Sequence, residues 1–569
     1  MRVSRAGARD PARLAEKEPQ SMKEPCDVDI GHVVEVNGER ALVELHVDTT
    51  VPLAENYFPG QPGSHVKIAV RDRSVIGIVS SVRLDAAHVS PATHDPACPP
   101  PGRKTADCIL IGSMGEDGGF IRGVAIYPTV GQPVKMVSPA EIKSIFSEFN
   151  EYEFSFGHPS QTEDQRAYIN VDRFFGQHVA VVGSTGCGKS CTVVSILQEA
   201  IRKYPDTHVV VLDLHGEYSS AFPENVTRID ADKVELPYWL LSFDEFQDLT
   251  VDQAEFSAKN QMTVLRDALV RAREGTVGSD RLRQGERVTA DSPIYFDLDD
   301  LLDTIRNWNI QMVPNSEGNM VPGPLYGEFD RFLIRLDSKV SDPRFRFMFK
   351  PTHYTTSESF VQLLREFLSI DTGNKMAIID LSGVPSEAVG VVAAVVSRIV
   401  FEFNLWNPER ERFPILLVLE EAHNYVPNRT DFRLQAAKSA IERITKEGRK
   451  YGIGTIIISQ RPKELSETVL SQCNSFIAMR LTNPDDQAYV RKLVPDSLSG
   501  LMDMLPSLRT GEALILGDCV ALPTRVMIDL PEPKPMSSDV EFAKWWSSGI
   551  KDMDVDRVVK RWRARRKDI

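Results

Sequence analysis

Three stretches of the chain hold side chains whose types and spacing suit work on a polyphosphate. The run GSTGCGKS, Gly183 to Ser190, fits G-x-x-x-x-G-K-[ST], a spacing in which backbone N–H groups cradle phosphate oxygens. Gly183, Ser184, Thr185, Gly186, Cys187 and Gly188 would form that cradle, with Cys191 next in the nucleotide contact. Lys189 is placed for the β- and γ-phosphates of ATP and Ser190 for Mg²⁺. The second stretch is the apolar run Ile415–Leu419, which delivers Glu420 and Glu421 to its end. Glu420 would hold Mg²⁺ through water, and Glu421 would orient and deprotonate the water that attacks the γ-phosphate. In the third, the apolar run Val209–Val-Val-Leu-Asp213 is followed by Leu214-His215-Gly216-Glu217-Tyr218. Strand ends in parallel α/β sheets open into the ligand crevice, so Asp213, His215 and Glu217 are expected beside the phosphates, with Asp213 among the catalytic residues. A structural role for His215 suits the pattern as well.

Developing negative charge calls for cations. The helical stretch Leu434–Lys450 carries Arg443, Lys446, Arg449 and Lys450. An arginine reaching the phosphate from a neighbouring subunit accelerates such reactions by ~10³–10⁵. Arg449 is the first candidate for that part and Arg443 the second. The apolar run Gly454–Ile458 ends in Ser459-Gln460-Arg461-Pro462, which puts Gln460 where a polar side chain can sense the γ-phosphate. Arg429 and Arg433, in the polar stretch after Pro427, are candidates for contacts to DNA phosphates; a solvated loop is the simpler reading.

These side chains need elements to hold them. His178–Val182 reads as a buried strand feeding the phosphate loop. Behind the loop, Val193, Val194, Ile196, Leu197, Ala200 and Ile201 recur at helix spacing, so the phosphates would sit at a helix N-terminus. Residues 1–27 read as a disordered arm. From 28 to 137 short alternating strands (Ile30–Val36, Arg40–Val47, His65–Val70, Val75–Val82, Cys108–Gly112, Ile121–Ile126) surround an Asn37-Gly38 turn and suggest a small β-barrel, with a proline-rich loop at Ser90–Pro101. Residues 138–236 and 371–531 read as two parts of one nucleotide-binding core. Between them, 237–370 has helical periodicity (Gln253–Arg273, Leu298–Trp308, Leu325–Leu336, Ser357–Leu368), and 532–569 forms a C-terminal tail.

Composition narrows the classes. At 569 residues, 42% hydrophobic and 26% charged, the chain is globular and long enough for two or three domains. Its 66 basic and 80 acidic residues leave a net charge of −14, which confines any nucleic-acid contact to a local basic surface. The plainest such cluster is Arg557, Lys560, Arg561, Arg563, Arg565, Arg566 and Lys567. Seven cysteines form no C-x-x-C pair, which points to a reducing, cytoplasmic compartment without a zinc framework. The N-terminal residues have no apolar core of a secretory signal, and the longest uncharged apolar run, Ala388–Ser397, falls short of the ~20 residues of a membrane span. No membrane partner is expected.

In chain order, GSTGCGKS, DLHGEY, ELPYWLL, LVLEEAHNYVP, KEGRKYGIGTIIISQRP and VLSQCNSFIAMRLTNPDDQ resemble the motifs of the HerA family of hexameric ATPases, in the HerA–FtsK branch of RecA-like P-loop proteins. The resemblance runs from about Asp29 to Leu530, because the barrel is similar to that family's HAS barrel. It implies an α/β fold in which a RecA-like P-loop ATPase core carries an N-terminal small HAS-like β-barrel and an inserted helical bundle. It also implies a homohexamer with ATP between subunits, DNA through the central pore, and a nuclease or other defence effector docked on the barrel face. By motif position it makes Lys189 and Ser190 the phosphate and Mg²⁺ residues, Glu421 the base and Arg449 the finger acting in trans. Two positions depart from the pattern: Gln177 stands where many relatives have a basic residue contacting phosphate, and Glu420 where Asp is commoner. Three functions fit. The first is a double-stranded DNA translocase or helicase working with a nuclease in end processing or anti-phage defence. The second is an ATP-regulated scaffold that gates a nuclease or an NAD-consuming effector. The third is a conjugation- or secretion-type ATPase.

Overall fold

The structure is a computed structural model that describes residues 28–46, 60–86, 102–160, 165–230, 235–252, 255, 257–283, 287–429, 431–537, 540–548 and 553–564. The expected N-terminal arm, the proline-rich loop and Arg565, Arg566 and Lys567 lie outside the described residues. The chain divides into two compact units, residues 1–144 and 145–569.

In the first unit, β1 (Asp29–Asn37), β2 (Arg40–Leu45), β3 (His65–Val70), β4 (Arg73–Ala86), β5 (Gly102–Met114), β6 (Phe120–Arg122) and β7 (Pro133–Met136) pair in the order β2-β1-β7-β3-β4-β5-β6. A further pairing of β2 with β5 closes six of them into a barrel, and β6 extends the far end of β5. Alternation explains the closure: Ile30, Val33, Ala41, Val43, Val66, Ile68, Ile78 and Val134 all turn inward and are buried. Gly31 crosses β2 so closely that a Cβ would come 2.0 Å from the Glu44 carbonyl oxygen. The Asn37-Gly38 turn forms as expected, with Asn37 opposite Arg40. Two features differ from the sequence reading. β5 begins at Gly102, not Cys108, because its polar first residues pair with the end of β4 away from the interior. Only Phe120–Arg122 of the stretch to Ile126 is a strand, and β7 behind Pro133 takes the place in the ring.

The second unit is built on a ten-stranded sheet. Its strands are β8 (Gly157–Pro159), β9 (Val179–Val182), β10 (His208–Asp213), β11 (Val226–Ile229), then, after the insertion's hairpin β12 (Met312–Pro314) and β13 (Met320–Pro322), β14 (Met376–Asp380), β15 (Ile415–Leu419), β16 (Ile453–Ser459), β17 (Ser475–Met479), β18 (Glu512–Gly517) and β19 (Thr524–Ile528). The order is β11-β14-β10-β15-β16-β9-β17-β18-β19-β8; the first seven are parallel, and β18, β19 and β8 complete the sheet antiparallel. Continuous apolar runs such as VAVV in β9 and ILLVL in β15 are what a sheet covered on both faces demands. One covering helix, Ser386–Trp406, is by length and composition apolar enough to cross a membrane, which corrects the reading from its uncharged run alone. It is mostly buried in the core, where Arg398 is held by the Glu245 carboxylate at 2.8 Å.

Glu245 belongs to the insertion. Helix Phe243–Thr250 opens with a reciprocal capping box between Ser242 and Glu245, and the same carboxylate then fastens it to the core through Arg398. The remaining helices include Ala258–Arg283, Leu298–Asn309, Asp330–Ser341 and Ser359–Phe367. The first starts later and ends ten residues beyond its apolar periodicity, and the β12–β13 hairpin is an addition to the expected helices.

Candidate active site

The phosphate loop leaves β9 and enters helix Lys189–Lys203. Gly186 and Gly188 take φ values of 73° and 102°, a region that favours glycine and lets the loop turn tightly. A Cβ on Gly183 would lie 2.6 Å from Cys187 Sγ and 2.9 Å from Met479 Cβ, so that position has no room for a side chain. The loop is clamped from β17 and β18: Ser184 N–H donates to the Arg480 carbonyl at 2.8 Å and Gly511 N–H to the Cys187 carbonyl at 2.9 Å. Lys189 is nearly buried and its Nζ donates to the Ser184 carbonyl at 3.1 Å, across the loop. Cys187 is buried, and burial raises its thiol pKa, as it does that of the half-buried Cys191.

Ser190 Oγ donates to Glu217 Oε2 at 2.8 Å, so the DLHGEY stretch does reach the loop, through its glutamate. Asp213 serves that stretch from within. Its Oδ1 accepts from Gly216 and Glu217 N–H at 2.8 and 3.2 Å, and its Oδ2 from Tyr218 N–H at 3.0 Å. Glu420 Oε2 accepts from the N–H groups of Leu214 and His215 at 2.8 and 3.3 Å. Burial, with Asp213 and Glu217 beside it, pushes the Glu420 carboxyl well above the usual range. His215 itself is exposed. Among the described residues no cluster of three or more acids, histidines or cysteines could cage a metal alone. The Ser190 hydroxyl against Glu217, next to the raised carboxyl of Glu420, nonetheless fits Mg²⁺, which takes few protein oxygens and keeps water and phosphate.

Glu421 follows β15 with φ 45°, a left-handed conformation rare outside glycine and characteristic of strained functional positions. The carbonyl of that residue accepts from Asn424 N–H at 2.9 Å and Asn424 Nδ2 at 3.1 Å, and Tyr425 Oη donates to the Glu420 carbonyl at 2.8 Å. These contacts hold the backbone. The carboxylate meets Gln460 N–H at 3.4 Å and His423 Nδ1 at 3.3 Å. Gln460 in turn accepts the Thr185 hydroxyl at 2.5 Å, so the loop, Gln460 and Glu421 form one connected group. Burial lowers the pKa of His423, opposed by Glu421. The sequence contains His423 two residues after Glu421 but gives it no part; neither the Ser190–Glu217 nor the Thr185–Gln460 pairing is readable from spacing.

Other expected residues lie elsewhere. Arg449 precedes β16, and Gln177 precedes β9 (Val179–Val182), so both stand at the strands' N-terminal ends while the loop stands at the C-terminal end, about 13 Å along a four-residue strand. Arg449 lies near the buried His178 there and helps depress that imidazole to about 4, after burial. Arg449 is exposed; Arg443 is paired with Glu402 at 3.0 Å and stacked 4.2 Å from the Phe401 ring centre. Arg429 is exposed, and Arg433 lines a cleft of about 440 Å³ with Asp248, Arg335, Lys339, Glu387 and Phe432.

Residues 154–400 match the family model described as the central domain of helicase HerA. The chain is 27% identical over 427 residues to the DNA double-strand break repair helicase HerA of Saccharolobus solfataricus, covering 74% of this chain and 77% of that protein. It is 26% identical over 447 residues to the protein of the same description from Sulfolobus acidocaldarius, covering 76% and 80%. Among solved structures, VirB4 of Thermoanaerobacter pseudethanolicus aligns with a TM-score of 0.47 at 16% identity, over 66% of this chain and 96% of that one.

Proposed function

We propose that the chain, whose residues 154–400 match the central-domain model of helicase HerA, hydrolyses ATP in a homohexameric ring and uses the turnover to move double-stranded DNA through the pore. In this reading the loop N–H groups and Lys189 bind the phosphates. Ser190 with Glu217, and Glu420 through water, would hold Mg²⁺, which supplies neutralisation of phosphate charge when bound. Glu421 takes a proton from water as the water oxygen attacks the γ-phosphorus. The bond from that phosphorus to the bridging oxygen breaks, and ADP and phosphate leave. Gln460, on the Thr185 hydroxyl, senses the loop's occupancy. What supports the ring is the place of Arg449: exposed, and at the end of the sheet opposite its own loop, it is available to a neighbour's site.

A nuclease of end processing or anti-phage defence is the partner we assign to the barrel unit, where Ile121, Ile126, Tyr127 and Val130 are each exposed. Arg429 and Arg433, on the loop beyond Glu421, are the pore contacts in this reading. Free thiols at Cys187 and Cys191 suit a reducing, cytoplasmic setting. The test is Glu421→Gln. It should keep ATP affinity while turnover falls to background, measured by nucleotide binding and phosphate release; sustained hydrolysis would remove Glu421 as the base.

A further inference from the structure

His423 has no part in the scheme above, yet it is one of the closest neighbours of Glu421. The imidazole side chain is only 9% exposed, so its bonding is internal. Its Nδ1 has two partners, Glu421 Oε2 at 3.3 Å and Ser459 Oγ at 3.2 Å. A ring nitrogen presents either a hydrogen or a lone pair. With the hydrogen on Nδ1, the ring donates to the carboxylate and fixes Oε2. With the hydrogen on Nε2, the bare Nδ1 repels the carboxylate and accepts the Ser459 hydroxyl. The charged groups that act on it are Glu421 on its own turn, Arg461 and Glu464 after β16, and Lys189 of the loop, and burial outweighs them in keeping the ring neutral. Since the backbone at Glu420 and Glu421 is held by Asn424 and Tyr425, the carboxylate's direction is the freedom left to control.

We propose that His423 is the positioning residue of the base: Nδ1–H aims Glu421 for proton abstraction, and handing Nδ1 to Ser459 lets the carboxylate go. The same Oε2 accepts from Gln460, whose side chain holds Thr185 at the loop, so the latch is mechanically continuous with the phosphate site. The inference rests on Glu421 being the base.

The experiment uses the full chain and its His423→Ala, His423→Gln and His423→Asn variants beside Glu421→Gln, with kcat, KM, nucleotide affinity and Tm measured for each. Asparagine places an N–H donor near the position of Nδ1; glutamine places it near Nε2. His423→Ala and His423→Gln should each lose about 10²-fold in kcat with KM moving less than about threefold, while His423→Asn stays within about tenfold of the parent. Equal impairment of the asparagine and alanine variants would overturn the proposal, as would a kcat loss matched by lost nucleotide affinity or lost Tm. An inactive Glu421→Gln with a fully active His423→Ala refutes the role of His423 alone. An active Glu421→Gln refutes the base assignment beneath it.

Discussion

Glu217 bonds the hydroxyl that P-loop chemistry reserves for Mg²⁺, and its replacement isolates that duty from the rest of the DLHGEY turn. Glu217→Gln keeps the shape and the backbone contacts, and removes the charge. The Mg²⁺ concentration for half-maximal ATPase should rise by about tenfold, the scale seen when an outer partner of a metal ligand is lost, with kcat at saturating Mg²⁺ changing less. A Mg²⁺ titration of ATPase rate checks this. At this scale the sequence is legible wherever a placement is local. Lys189 and Ser190 are fixed by the spacing of eight consecutive residues, and Glu421 by an apolar strand ending in acids. Asp213 is legible as a strand-end carboxylate, but its oxygens turn onto the N–H groups of residues 216–218, a bonding that no periodicity encodes. His423 and the Thr185–Gln460 contact, which spans 275 positions, depend on which strands become neighbours.

That neighbour relation is the main fact about the elements. β16 lies between the loop strand β9 and the acidic strand β15, so the loop and Glu421 are about 10 Å apart and the end of β16 must bridge them. Gln460 and Ser459 are the bridge. The strands themselves follow from runs of Val, Ile and Leu, but β7 is hidden behind Pro133 and the polar start of β5 carries no alternation, so the barrel's closing pair is not visible in the sequence. The insertion's first helix does have a readable signal, Ser242 three residues before Glu245. It also carries Asp248, which caps helix Gln435–Glu447 through Ala436 N–H at 2.7 Å. Burial, with Asp244, Glu245 and Asp431 nearby, nevertheless pushes Asp248 up to about 7. A carboxyl raised in the folded state holds a proton that the unfolded chain releases. Its contribution is full below the ordinary aspartate range and is lost as pH rises through about 7. Asp248→Asn should therefore raise Tm by about 2–4 °C at pH 8 and by much less at pH 5. Thermal melts at the two pH values decide it; an equal shift at both would contradict the buried-acid account.

For the whole molecule, the separation of Arg449 from its own phosphate loop makes a prediction about mixtures. Subunits with Lys189→Ala and subunits with Arg449→Ala should each be inactive alone, yet give measurable ATPase when co-assembled, because some interfaces then receive an intact loop and an intact arginine. Activity that stays at background in rings verified to contain both would refute the trans assignment. Changes of period along the chain mark its strand-rich and helix-rich stretches, whereas a neighbour's surface leaves no such mark in a sequence. One feature of the sheet reaches beyond hydrolysis. β8, the first strand of the core, pairs with β19, its last, through Gly157–Ile528, His158–Met527 and Pro159–Val526. The strand that opens this sheet and the strand that ends it in chain order are rungs of a single ladder. Topologically the core sheet is a closed circuit cut at that seam, so a circular permutant that rejoins it and opens an exposed loop elsewhere keeps the strand order of the sheet.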